Sequence, residues 1–423
     1  MKILHVCDWY RPFGGAERLL LGTLELLEAA GHQNIIITSD HPSQMRTGKR
    51  LEYFLPNLEI NFALLPRWRI FARNMKQLQK NIGAIIREHR PDVIHIHNLQ
   101  NPYVIQILTP LAPTVRSVHD PRLYCFTNWR LLPNNEICPH PLGKACLKEK
   151  CLSWNFLRLS NTEKWAPFKL MHLRENKKID MLIAESHAVE ACLRQNGFSD
   201  LQIALLPNYT EKKGEWRQVE AFNRRYHVPG QRVVVFVGRA SYEKGIEHLV
   251  EAMALIPRPW KLVLVTGGEY LGRVREKIEA LNLGDAVEIP GVHDYETTRT
   301  YYARSDVVVV PSVWMESFCL VGLEAMANGK PVVAFRAGGI PDWLLDNETG
   351  LLAPVRDVKA LAGKIQTLLD NEKLAREMGR KGYERAAKVF SKERYLSALE
   401  GIFQKAIQLK NKSHKANVTQ NQA

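Results

Sequence analysis

Glu316 and Glu324 are the residues of this chain whose type, spacing and surroundings most directly suit chemistry. They lie in 306–339, where a buried strand is expected to end at Pro311-Ser312 and a short loop carries Glu316. A helix is expected from about Phe318, with Glu324 about two turns into it. A helix start offers free backbone N–H groups and a positive dipole end, which suit a diphosphate. A carboxylate in the preceding loop can accept hydrogen bonds from sugar hydroxyls. One on the helix can hold a ribose diol, as acidic residues do in dinucleotide sites. Two solvated surface glutamates would show the same spacing. The apolar Phe318, Leu320, Val321, Leu323, Ala325 and Met326 around them weigh against that, because Glu is rarely buried without a partner.

A second constellation, Gly238-Arg239-Ala-Ser-Tyr-Glu-Lys244-Gly245, directly follows an expected strand at 232–237. Arg offers a planar fork for phosphate oxygens and Lys a mobile point charge. Together they can stabilise the charge that appears on a departing diphosphate, so losing Lys244 is expected to cost turnover far more than stability. The first strand is followed by Asp8-Trp-Tyr-Arg-Pro-Phe-Gly14-Gly15-Ala-Glu, whose paired glycines let backbone approach a ligand. It is not G-x-G-x-x-G, which disfavours a nicotinamide or flavin dinucleotide. His119-Asp120 follows another expected strand, whereas His95 and His97 read as structural. No Asp-x-Asp occurs to hold a magnesium ion on a diphosphate, so side-chain cations are expected in its place. P-loop, nucleophile-elbow and H-E-x-x-H elements are also missing from the sequence, which sets aside kinase, hydrolase and zincin readings.

The elements that must position these residues alternate. Strands are expected at 3–7, 34–38, 92–97, 114–119, 179–185 and 202–206, then at 232–237, 260–265, 286–289, 306–310 and 331–335. Amphipathic helical stretches such as 16–30 and 71–89 separate them. This alternation implies α/β architecture with parallel sheets covered on both faces, and its repetition implies two doubly wound domains. At 423 residues the chain suits two domains. They are expected at 1–207, joined by a helix at 391–409, and at 208–390, with a frayed tail at 410–423. On open parallel sheets ligands bind beyond the C-terminal strand ends, where every candidate above falls.

Composition narrows the setting. The chain is 45% hydrophobic and 24% charged, typical of a soluble globular protein, and no stretch approaches a membrane span. A cytoplasmic location is expected. The formal charge is +14, and residues 144–178 hold nine Lys/Arg against three Asp/Glu, interleaved with Trp154, Phe156, Trp165 and Phe168. Such a stretch suits an anionic bilayer surface. No RRM, KH or helix-turn-helix pattern supports nucleic acid, so peripheral membrane contact is the expectation and no nucleic acid is expected.

The whole set resembles family 4 retaining glycosyltransferases, the glycogen-synthase-like group 1 enzymes of the GT-B fold. The resemblance rests on Glu316-x7-Glu324 with Pro331-Val-Val and Gly338-Gly339-Ile-Pro downstream, supported by Gly238-Arg239…Lys244-Gly245, Pro207-Asn208 and Gly14-Gly15-Ala-Glu. It is strongest over 238–350 and looser before 179. It implies two Rossmann-like domains facing a cleft, a C-terminal helix crossing back to the first, and donor binding by the second. By this resemblance Arg239 and Lys244 hold the diphosphate, Glu316 touches the transferred sugar and Glu324 the ribose. Gly238, Ser317, Phe318, Cys319 and Leu320 contribute to the donor site, Gly14 and Gly15 close over the diphosphate, and His119 lies near the anomeric centre. The implied reaction is metal-independent, moves a sugar from a nucleotide diphosphate to a glycan or lipid-linked acceptor, and retains configuration. Its acceptor proton goes to the leaving phosphate. Cys319 stands where members often have Gly, which narrows backbone approach slightly. A non-catalytic nucleotide-sugar-binding scaffold, or an epimerase on the same fold, are the other readings; the intact Glu316, Glu324, Arg239 and Lys244 count against the first.

An insert at about 121–155 carries Cys125, Cys138, Cys146 and Cys151, spaced x12, x7 and x4. Four thiolates can hold a tetrahedral zinc, but compact sites usually show C-x2–4-C pairs. Structural zinc and scattered free cysteines are therefore equal readings, with no other cofactor expected. Either way the insert is expected to shape acceptor choice.

Overall fold

The structure is a computed structural model, and it describes residues 1–11, 14–40, 50–59, 68–151 and 166–420. The chain divides into two compact units, Met1–Pro207 with Tyr395–Ala423, and Asn208–Arg394. Trp154, Phe156 and Trp165 of the basic-aromatic stretch lie outside the described residues.

In the first unit, β1 (Lys2–Cys7), β2 (Gln33–Thr38), β3 (Leu51–Phe54), β4 (Val93–Ile96), β5 (Thr114–Val118), β6 (Met181–Ala184) and β7 (Ile203–Leu205) form one sheet in the order β3-β2-β1-β4-β5-β6-β7. Its pairings are parallel, with Leu4 level with Ile35 on one side and Ile94 on the other. The second unit holds β8 (Val233–Val237), β9 (Lys261–Val265), β10 (Val287–Glu288), β11 (Val307–Val310), β12 (Val332–Phe335) and β13 (Gly350–Ala353), ordered β10-β9-β8-β11-β12-β13 and also parallel. β-Branched runs such as VVVFV and VVVV are buried nearly throughout, as a sheet covered on both faces requires. The strand order reverses between β1 and β4 in the first sheet and between β8 and β11 in the second.

Two strands have no counterpart in the sequence expectation, β3 and β13. Both are four-residue outer strands with one neighbour, too short to show a period. The last helix, Lys392–Gln420, runs past the expected helix end at 409. Leu409 is followed by no Gly or Pro stop, so the helix continues through a polar sequence. Its buried Leu399, Phe403 and Ala406 belong to the first unit, where Phe403 meets the His95 ring edge-on at 5.3 Å.

The β8 turn needs a glycine. Gly245 has φ 68°, and a Cβ there would fall 1.9 Å from the Pro311 carbonyl oxygen at the end of β11. That close approach, with the Val313 N–H donating to the Glu243 carbonyl at 2.9 Å, ties the loops after β8 and β11 together. Gly245→Ala is therefore expected to destabilise the fold by about 2–4 kcal/mol, from backbone strain plus the clash. Urea unfolding measures this, and an unchanged midpoint would contradict the tight approach.

Candidate active site

The reversal of strand order between β8 and β11 opens the position where ligands bind on such sheets. Lys244 comes off β8 and Glu316 off β11, and the structure brings them together: Lys244 Nζ lies 2.6 Å from Glu316 Oε1. The Ser312 hydroxyl donates to the same oxygen at 2.6 Å. The Glu316 side chain is only 5% exposed and that of Lys244 20%. Burial alone would raise the Glu316 carboxyl, yet the Lys244 ammonium and the Ser312 hydroxyl take it below the usual carboxylate range. Burial would likewise lower Lys244, and Glu316 more than offsets it. The β12 loop closes the third side. Gly339 N–H donates to the Glu316 carbonyl at 2.8 Å, and a Cβ on Gly338 would lie 2.1 Å from that carbonyl oxygen.

The helix starts later than expected, at Leu320, so Glu324 stands just over one turn in rather than two. The Tyr302 hydroxyl donates to Glu324 Oε2 at 3.3 Å. Cys319 caps this helix with φ 73°, in the left-handed region that favours glycine, which is the physical reason for a glycine at this position. Its thiol is pushed up to about 12, by burial first and then by Glu316, so it is protonated at neutral pH. Phe318 is a core side chain, and its carbonyl accepts from Trp343 Nε1 at 2.6 Å. Ser317 Oγ is buried without a protein partner among the described residues. The Gly238 N–H is taken by the Val265 carbonyl at 3.2 Å. Arg239 does not join Lys244 and Glu316: its side chain is 62% exposed and lies 3.6 Å from Glu243.

In the first unit, β5 and β6 run level, with Val118 opposite Ala184. The next residue of each, His119 and Glu185, form a buried ion pair through His119 Nδ1. Burial would lower the imidazole, but Glu185 holds it above its ordinary value. His119 Nε2 has no protein partner among the described residues, and the ring borders a small cavity with His97, Asn98, Arg116, Asp120 and Leu123. Glu185 was not singled out by sequence, although its place at a strand end was a usable signal. Asp8, after β1, was likewise passed over. It accepts from the Gln100 N–H at 2.9 Å, and burial pushes its carboxyl up to about 7. Gly14 and Gly15 begin the helix after β1, Gly14 as its N-cap. His95 and His97 are core residues as expected, their imidazoles held far below the usual value by burial.

A family described as Glycosyl transferases group 1 matches residues 218–385, and one described as Glycosyltransferase Family 4 matches residues 13–211. An uncharacterized glycosyltransferase of Methanocaldococcus jannaschii is 31% identical over 380 residues, covering 88% of this chain and 90% of its own. The MMP alpha-(1->4)-mannosyltransferase of Mycolicibacterium hassiacum is 26% identical over 372 residues, 86% of this chain and 81% of its own. Among solved structures, Anabaena Alr3699/HepE in complex with UDP has the same fold, with TM-score 0.71 at 18% identity over 96% of this chain and 100% of that one. Two doubly wound parallel sheets with these relatives define a glycosyltransferase of the GT-B fold. The chain belongs to glycosyltransferase family 4.

Burial of the Lys244–Glu316 pair alters what its loss should do. Lys244→Ala leaves a buried carboxylate unpaired, so it is expected to cost roughly 1–3 kcal/mol of stability, discounted for the partial exposure of Lys244, and not turnover alone. Because the folded Glu316 pKa is depressed, the pair's contribution is present above the ordinary Glu value of about 4.3 and lost as pH falls through the folded value. Unfolding midpoints that show no loss for Lys244→Ala at pH 7 would refute the pairing. The sign is opposite for His119. Its raised pKa gives stability that is complete below about 6.5 and lost as pH rises through the folded value. Glu185→Gln is expected to remove roughly 1–3 kcal/mol below pH 6 and less at pH 8, and to lower the His119 titration midpoint read by NMR. A midpoint unmoved by the substitution would show that Glu185 does not set the charge of His119.

Proposed function

We propose that the chain is a retaining, metal-independent transferase that takes a sugar from a nucleotide diphosphate and passes it to a hydroxyl of a glycan or lipid-linked acceptor. The observation that carries this reading is the Lys244–Glu316 pair at the strand-order reversal of the second unit, beside the start of helix Leu320–Ala327. Lys244 and the free N–H groups of that helix start stabilise the negative charge on the departing diphosphate, and Arg239, exposed on the same loop, is a further cation for it. Glu316 accepts from hydroxyls of the transferred sugar and Glu324 from the ribose. The acceptor hydroxyl attacks the anomeric carbon on the leaving-group face. Its proton passes to the departing phosphate oxygen as the glycosidic bond breaks. In the first unit, Glu185 favours the charged form of His119, whose Nε2 has no protein partner among the described residues and is open to a sugar oxygen. The absence of Asp-x-Asp from the sequence supports a site in which side-chain cations do the work of a metal. Likeness to Alr3699/HepE, which was solved with UDP and with UDP-glucose, supports a uridine nucleotide donor as the first to try.

Cell-surface polysaccharide or glycolipid synthesis at the cytoplasmic membrane face fits the basic stretch at 144–178. No helix among the described residues is long and apolar enough to cross a membrane.

A panel of UDP-, GDP- and ADP-sugars, scored by thermal shift and by slow donor hydrolysis, tests the donor. One nucleotide sugar is expected to raise the melting temperature and to release its nucleotide diphosphate with EDTA present. The product anomer, read by NMR, is expected to match the donor; an inverted anomer would end the retaining assignment. Glu324→Ala is expected to weaken nucleotide binding by about tenfold to a hundredfold in calorimetry, the worth of a hydrogen bond to a charged group. Wild-type affinity in that variant would remove Glu324 from the ribose.

A further inference from the structure

Four of the seven cysteines, Cys125, Cys138, Cys146 and Cys151, fall within 27 residues, and all are free thiols. The backbone gathers them. The Arg130 N–H donates to Cys125 Sγ at 3.3 Å, and the carbonyl of the same residue accepts from the Cys138 N–H at 2.8 Å. An antiparallel bridge between Leu131 and Ile137 closes the hairpin that makes this possible. The second pair is drawn together by a turn in which the Cys151 N–H donates to the Cys146 carbonyl at 3.0 Å. The two pairs are neighbours. Cys138 Sγ donates to the His140 carbonyl at 3.9 Å, and the His140 ring lies 3.3 Å from Glu149 Oε1, between Cys146 and Cys151.

A second observation points to a negative charge in their midst. Arg130 is 3% exposed, and its guanidinium packs over the Tyr124 ring at 5.6 Å. It donates to the His140 carbonyl at 2.5 Å and to Gln195 Oε1 at 2.9 Å. Among the described residues neither of these partners is a carboxylate, and its Nε has no acceptor. A buried cation without a counter-charge is costly. Lys144, Lys148 and Lys150 add positive charge on the same segment.

We propose that Cys125, Cys138, Cys146 and Cys151 bind one Zn²⁺ as a tetrahedral thiolate centre whose net negative charge compensates Arg130. Binding breaks four S–H bonds, forms four Zn–S bonds and releases four protons, with no change of oxidation state. Zn–S bonds of about 2.3 Å require sulfurs roughly 3.8 Å apart. Among the described residues no three cysteine sulfurs lie within 4.8 Å of one another, so ligation tightens a set the backbone has already assembled. His5, His95 and His97 do lie that close. However, His5 already bonds His97 at 3.1 Å and Asn34 at 3.0 Å, and His95 bonds Ser117 at 2.9 Å, as core residues do. The centre would fasten the insert, which Arg130 anchors to Gln195 and which the Leu142 N–H anchors to Asn196 Oδ1 at 2.9 Å.

The test uses the full chain and no transfer assay, so it stands apart from the donor reading. Elemental analysis of protein made in zinc-supplemented medium is expected to find about one zinc per chain. Cobalt exchanged into the wild-type protein is expected to give an intense sulfur-to-cobalt charge-transfer band and tetrahedral ligand-field bands. The double variant Cys138→Ser, Cys151→Ser is expected to lose both the metal and the band. Absence of metal, cobalt bound without a sulfur band, or iron retained in place of zinc would each overturn the assignment. Because the cobalt spectrum is read on wild-type protein, the proposal stays testable even where the variant fails to fold.

Discussion

Parallel strands that finish level hand their next residues to one another, and both charged pairs of this glycosyltransferase follow from that constraint. β8 and β11 lie side by side where the strand order reverses, and the loops that leave them set Lys244 against Glu316. β5 and β6 end level at Val118 and Ala184, and His119 meets Glu185 one residue later. In each case one ionisable group is too buried to keep its charge alone, and the pairing restores it. Gly245 and Gly338 serve the same geometry, since side chains there would force the Glu316 loop away from its neighbours.

The legibility of the fold divides along physical lines. Interior strands were plain in the sequence, because a strand covered on both faces must be apolar along its length. β3 and β13 were not, because a four-residue outer strand needs little more than one partner. In the site, Glu316, Lys244 and His119 could be found from their positions after strands. What the sequence could not show was which of them touch. It grouped Lys244 with Arg239, near in sequence, whereas register joins Lys244 to Glu316, 72 residues away, and leaves Arg239 in solvent. Glu185 was missed for a related reason: nothing in the sequence shows that β5 and β6 end level, which is what sets it against His119.

Cys319 shows a local rule yielding to context. Its backbone takes a conformation that glycine adopts freely and other residues rarely do, and the packing around Phe318 and Trp343 holds it there. The thiol faces the same buried charge environment as Glu316 and stays protonated, so it adds bulk to the helix start without adding a second negative charge beside that carboxylate.

The last helix has a consequence for how the protein is made. The first unit contains Met1–Pro207, yet Tyr395, Leu399, Phe403 and Ala406 are buried in it, with His32 bonded to Glu400 at 2.7 Å. A ribosome delivers those residues only after the whole second unit. Until then the nascent first unit carries an uncovered apolar strip over His95, while the second unit can fold from contiguous chain. The second unit, made later, is therefore free to finish first, and emergence of the last helix from the ribosome becomes the event that seals the first.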